Sequence, residues 1–383
     1  MITAAAAVAV MLASGCGGQQ NNGNVPEQNG SRTGYSLTFF KNVTELGGAD
    51  DNILVSPYSA GAALSMLAEG AEDQTREELV TALGGSTFAG DRLVADSLVD
   101  VRSANSVWIK SGFDVKKNYV SQLEKSYGAM VAEKDFSDPG TVEAINGWCA
   151  GNTEGRIKEI VDQISPDMVM FLINALYFKA PWENAFDENL TADRVFHGSK
   201  GDMEVPMMYA KGRFRYASWQ GSQLVELPYA GGRYSMLVAL PSADLDINGA
   251  VELLSEDAFN LALDNLAKTE MTLIMPKFKF ETDFVLNEVL QKMGVRKAFT
   301  SSAQLGGISD AGIAVDEVRQ KCFIEVNEQG SEAAAVTSIG VRLTSARPGR
   351  PVVMTVDRPF LFAIVDRTDD NILFMGKVMN LQK

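Results

Sequence analysis

The 383-residue sequence predicts an α+β fold. Helical apolar spacing dominates its early part, strand-type alternation dominates the rest, and no Pro/Ser-rich linker divides the two. Hydrophobic residues make up 46% of the chain, enough for a large core, while the 22% that are charged are ordinary for a globular protein. With no internal repeat visible, the expectation is one large domain.

Tyr35 to Leu46 has helical spacing, and Asn52 to Ala60 is a short strand ending in a turn. Ala60 to Ala71 is almost wholly apolar, so that helix is buried on all sides. Thr75 to Leu83 is amphipathic and closes at a glycine. Ser103 to Ile109 alternates as a strand, Lys117 to Ala132 is helical, and Glu143 to Val161 is helical despite three glycines. Met168 to Phe178 is an apolar strand run. Val205 to Leu240 holds several strands, with Gly231-Gly232 as a hairpin signal. Met271 to Glu281 alternates as one strand with lysines outward, and Phe284 to Met293 is a helix ended by Gly294. Strands at Phe323 to Val326, Pro351 to Val356, Phe360 to Asp366 and Ile372 to Val378 finish the chain.

Charge and residue counts remove several function classes. A net charge of -15 with no Lys/Arg-rich run argues against nucleic acid or a polyanion. His197 is the only histidine, so no second His exists to build a zinc site, and it reads as a surface or strand-end residue. Neither a metal ion nor a cofactor is expected. There is no Gly-x-Ser-x-Gly elbow, Ser-x-x-Lys or P-loop, which weighs against a hydrolase.

Thr3 to Ala13 is an apolar run too short to span a bilayer, and it fits a signal-peptide core. Leu12-Ala13-Ser14-Gly15-Cys16 resembles a bacterial lipobox, whose cysteine is lipidated, although Met1-Ile2-Thr3 lacks a positive n-region. Residues 1–15 are therefore expected to be a signal peptide. Residues 16–33, rich in Gln, Asn and Gly, form a flexible tether, and the domain runs over 34–383. The expected location is the periplasmic or surface face of the bacterial cell envelope, with the membrane reached only through the lipid on Cys16; without that lipid the chain would be secreted. Cys149 and Cys322 look like small core residues, with no disulfide expected.

Glu328 to Arg350 commits to neither helix nor strand: Ser331 suits an N-cap before three alanines, while Thr337 to Thr344 is alternating and β-branched. Its neighbours carry a resemblance. Asn52 to Ala71, Asn146 to Ile157, Leu172 to Phe186, Val326 to Ala335, and Asp357 to Asp366 with Leu373 to Gly376 are, in that order, similar to segments of the serpins. The match covers essentially everything after residue 34. It implies helices packed around a large mixed main β-sheet and smaller sheets, with an exposed reactive-centre loop at about 328–350.

The resemblance also implies a monomeric suicide inhibitor whose partner is a serine protease, held in a covalent complex. Cleavage of the loop forms an acyl-enzyme, and the cut loop then inserts into the main sheet as a new strand. By that resemblance Glu328, Gly330, Ser331, Glu332, Ala333, Ala334 and Ala335 are the hinge, and Trp182 lies at the sheet top. Ser56, Ser59, Asn174 and Gln320 form a polar cluster beneath the sheet, with Gln320 where the family usually has His. Glutamine donates and accepts hydrogen bonds but does not charge, so no pH response is expected there.

The hinge residues are small and Pro-free, as insertion requires. Ser331, Ala333, Ala335, Thr337, Ile339 and Val341 would share one face, leaving Glu332 and Arg342 on the other. At ~3.3 Å per residue, the span from Gly330 to Thr344 is roughly 46 Å. Family spacing places the scissile bond at Thr344-Ser345, which suits elastase-like or subtilisin-like proteases. Arg342-Leu343 is the alternative for trypsin-like ones. A non-inhibitory binding protein on the same fold is the competing function; such proteins tend to have bulky, charged or Pro-containing hinges.

Overall fold

The structure is a computed structural model that describes residues 2–14, 30–219, 221–329, 352–369 and 371–381. Strand β1 (Ile2–Ser14) comes first. Helix α1 (Arg32–Leu46) starts just before the expected domain boundary, because the Ser31 hydroxyl accepts the Gly34 amide at 2.9 Å and caps it. Strand β2 (Ile53–Val55) leads into α2 (Pro57–Glu69), which opens with Pro in its first turn and is buried from Pro57 to Ala68. Next come α3 (Asp73–Ala82), β3 (Asp100–Lys110), α4 (Lys117–Tyr127) and β4 (Met130–Lys134). Lys117 to Ala132 is thus not one helix. Gly128, at φ 60, ends α4 in the left-handed region, and Met130 then pairs with Ser106.

Helix α5 (Gly140–Asn152) is also shorter than its sequence suggests, because Glu154 and Gly155 take positive φ and break it. Strand β5 (Met168–Ala180) is buried at every position but Lys179. Strands β6 (Ala192–Gly198), β7 (Gly201–Trp219), β8 (Ser222–Pro228) and β9 (Tyr234–Leu240) follow, with Gly231 and Gly232 at positive φ in the last turn. The short α6 (Ile247–Glu252) and α7 (Glu256–Asp264) had no clear sequence signal.

Met271 to Glu281, read as one strand, is two. It breaks at Lys277 into β10 (Ala267–Pro276), which pairs with β7, and β11 (Phe278–Val285), in the other sheet. Helix α8 (Asn287–Lys292) starts late because Phe284 and Val285 are still paired in β11. Strands β12 (Ile313–Val326), β13 (Val352–Thr355), β14 (Phe360–Asp366) and β15 (Ile372–Val378) complete the fold.

Two sheets organise these elements. The main sheet has the order β11-β12-β1-β5-β3-β4; the second runs β13-β10-β7-β8-β9-β14-β15-β2, with β6 on β7. The central core lies between the sheets and takes in α2. A smaller apolar layer, with Ile145, Cys149, Ile157 and Val161, covers the main sheet's other face.

The sequence reading set residues 1–15 outside the fold, whereas the structure makes residues 2–14 a central strand of it. A strand buried on both faces shows no alternation, so a short Ala/Val run reads the same as a signal core. Val8, Val10 and Leu12 are fully buried, each contributing at most roughly 1.5–3 kcal/mol of apolar burial.

Candidate functional site

The main sheet contains a slot between β5 and β12 that one extended strand fills. Strand β1 fills it antiparallel to both neighbours, from Thr3 opposite Glu325 and Lys179 to Leu12 opposite Val315 and Met170. Ala6, Val8, Val10 and Leu12 face the central core, and Ala7, Ala9 and Met11 face the α5 layer. At its midpoint Val8 lies between Gln320 and Asn174.

Those two residues head a polar cluster under the slot, and both are fully buried. Ser56, the N-cap of α2, donates its amide to Gln320 Oε1 at 3.1 Å, and Gln320 Nε2 donates to the Ser56 carbonyl at 2.9 Å. The Ser56 hydroxyl donates to the Leu373 carbonyl and accepts the Ser59 amide. Ser59 Oγ donates to Asn174 Oδ1 at 2.6 Å, and Asn174 Nδ2 donates to Ser103 Oγ and Asn105 Oδ1. All four expected cluster residues thus surround one point of the slot, joined in two groups through Ser56 and Ser59. Ser103 and Asn105 belong to it as well; their place in an alternating strand concealed a polar role. These side chains bond one another and α2, needing nothing from β1.

The slot's upper end is the exit of β12. Trp182 stacks on Tyr229 at 4.9 Å and donates its indole N–H to the Asn327 carbonyl at 3.0 Å. The next residue, Glu328, is buried: its carbonyl accepts the Phe186 amide, its Oε1 accepts the Thr191 hydroxyl at 2.8 Å, and its Oε2 lies 3.0 Å from Lys277 Nζ. Burial raises the carboxyl's pKa. The bonds from Thr191 and its own backbone amide, with the Lys277 charge, outweigh that and hold it below the usual carboxylate range. Sequence reasoning missed Lys277 because it took Met271 to Glu281 as a single strand with outward lysines.

Across the front of the slot, α5 and the segment after it are tied to both halves of the sheet. Arg156 pairs with Glu325 at 3.3 Å and Asp162 with Arg319 on the β12 side, while Glu154 pairs with Arg102 at 2.6 Å on the β3 side.

Cys16, the hinge residues Gly330, Ser331, Glu332, Ala333, Ala334 and Ala335, and Arg342, Leu343, Thr344 and Ser345 lie outside the described residues. Cys149 and Cys322 are buried free thiols in separate apolar layers. Burial pushes Cys149 up to about 12 and raises Cys322 as well, so neither is a ready thiolate. His197 is exposed on β6, in the second sheet, and bonds Asp202 at 2.8 Å.

Comparison with known proteins gives a consistent picture. The family model of the serpins (serine protease inhibitors) matches residues 31–381. Iripin-2 of Ixodes ricinus is 36% identical over 356 residues, covering 87% of this chain and 89% of that protein. The crystal structure of tengpin, a thermophilic serpin, in its native state is similar with a TM-score of 0.81 at 30% identity, over 94% of this chain and 96% of that one. Human thyroxine-binding globulin matches with a TM-score of 0.81 at 23% identity, over 92% and 98% of the two chains, a likeness of fold alone.

Proposed function

The chain belongs to the serpin family, whose members are mostly protease inhibitors and not enzymes, and we propose that it inhibits serine proteases as a suicide substrate. The observation that best supports this is the slot: β5 and β12 admit a small-residue strand antiparallel to both. A chain leaving β12 at Val326 and turning back on it would run in that same direction. The segment that follows, Gly330 to Val341, is small, Pro-free and suited in alternation to two buried faces.

In this reading a protease attacks Thr344-Ser345 and forms an acyl-enzyme with Thr344. The freed segment enters the slot and draws the protease along the sheet. Hydrolysis stalls because the oxyanion hole and triad work only in closely held geometry. Thr344 suits elastase-like and subtilisin-like primary pockets, and Arg342 gives trypsin-like enzymes a second point of attack. The fold shared with thyroxine-binding globulin keeps a non-inhibitory binding role as the alternative, which the unbulky hinge disfavours.

We further propose export, removal of residues 1–15 and lipidation of Cys16, with the domain, which begins at the α1 cap Ser31, held at the envelope by the residues between. Leu12 to Cys16 supports this. The function is tested by mixing the chain that begins at Cys16 with subtilisin, elastase and trypsin. An SDS-stable complex is expected; cleavage of the loop by all three without any complex contradicts inhibition.

A further inference from the structure

Residues 2–14 occupy the one place in the sheet that inhibition needs empty. We propose that this segment competes with the reactive loop for the slot: a chain that retains it seated is inert, and its departure arms the inhibitor. The proposal rests on the inhibitory reading above for its consequence, though not for the occupancy itself.

The match between segment and slot goes beyond composition. If Asn327 to Gly330 formed a four-residue turn, the returning loop would place Ala335 opposite Cys322, Thr337 opposite Gln320 and Ile339 opposite Val318. In the structure those partners face Ala6, Val8 and Val10. Position by position the side chains are Ala for Ala, Val for its near-isostere Thr, and Val for the one-carbon-larger Ile. On the opposite face, Ala7 and Ala9 stand where Val336 and Ser338 would, under α5 and close to Phe323 and Ile145. In that register the two segments, from opposite ends of the sequence, would present similar volumes to the same partners.

Geometry makes their occupancy exclusive. Strand β1 pairs continuously from Thr3 with Glu325 to Ser14 with Ile313 on one side, and from Ile2 with Ala180 to Ala13 with Met168 on the other. Neighbouring strands lie about 4.8 Å apart, so a gap of one strand admits one strand. Ala6 to Val10 and Leu12 are fully buried, which leaves no room beneath a second chain. The polar cluster is satisfied without β1, so the slot's floor is ready for either occupant. Removal of residues 1–15 during export would empty the slot, so one cleavage would both process and activate the chain.

The test uses the full chain in three forms: unaltered, Val8→Asp, and the near-isosteric Val8→Thr. An aspartate between Asn174 and Gln320 has no cationic partner and should expel the segment, whereas threonine should stay. Hydrogen exchange of the β5 amides from Leu172 to Leu176 reads occupancy without any protease, and an SDS-stable complex with subtilisin reads inhibition. The unaltered chain and Val8→Thr are expected to protect those amides and form little complex. Val8→Asp should exchange them at least tenfold faster and form at least tenfold more complex, with the β14 and β15 amides unchanged as the sign of an intact fold. Equal β5 exchange in all three forms overturns the occupancy. Faster exchange in Val8→Asp beside full inhibition by the unaltered chain overturns the competition. Faster exchange with no complex from any form upholds the occupancy and removes the inhibitory reading.

Discussion

Glu328 and Lys277 join the exit of β12 to the break between β10 and β11, with Oε2 and Nζ 3.0 Å apart. The pair fixes Glu328 where the chain leaves β12, in a sheet whose slot is occupied by β1.

Replacing Glu328 with Gln keeps the shape and a bond to Thr191 but removes the attraction to Lys277, which is 39% exposed. A loss of about 1 kcal/mol is expected at neutral pH, by urea denaturation. The Glu328 carboxyl is held below its ordinary value when folded. Its stabilisation is therefore complete above the unfolded value of about 4.3 and is lost as pH falls through the folded one. The gap between wild type and Glu328→Gln should close in acid; a gap that widened there would contradict the assignment.

Asn174 is fully buried and bonded to Ser59, Ser103 and Asn105. Asn174→Ala leaves those groups without a shared partner and should destabilise the fold by about 2–4 kcal/mol, measured by chemical denaturation. A change below half a kcal/mol would mean that the cluster carries little of the sheet's stability.

Gln320→His makes the cluster titratable. A neutral imidazole in that buried place resists protonation, so the unfolded chain binds the proton first. Stability of the variant should fall relative to the wild type as pH drops below about 6.5, because Gln320 itself does not titrate. Thermal melting between pH 8 and pH 5 checks this, and parallel curves for the two proteins would refute it.

Ala335→Pro would remove a backbone N–H in the middle of the inserting segment. In the chain beginning at Cys16, the expected result is cleavage of the loop at the wild-type rate with at least a tenfold loss of covalent complex. Inhibition that survived unchanged would mean that insertion past Ala335 is not what traps the protease.

Part of this arrangement was legible in the sequence. The wholly apolar run from Ala60 announces a buried helix, while the cluster of Ser56, Ser59, Asn174 and Gln320 was reached through the resemblance to the serpins and not from local chemistry. The glycine stops at Gly128 and Gly155 were visible but misjudged, since their effect depends on a positive φ that tertiary contacts select. The break at Lys277 was hidden because both halves alternate with the same period while belonging to different sheets. The place of residues 2–14 was hidden most deeply. Their composition states only that they avoid water, and the fold supplies the slot that accepts them.

Cleavage of the loop should trap the protease before hydrolysis is complete. The most direct measurement is denaturing electrophoresis with mass spectrometry of the chain beginning at Cys16 after reaction with elastase. A covalent complex of protease with everything up to Thr344 is expected, together with a released peptide that begins at Ser345. Complete cleavage with free, active elastase and no complex would contradict it.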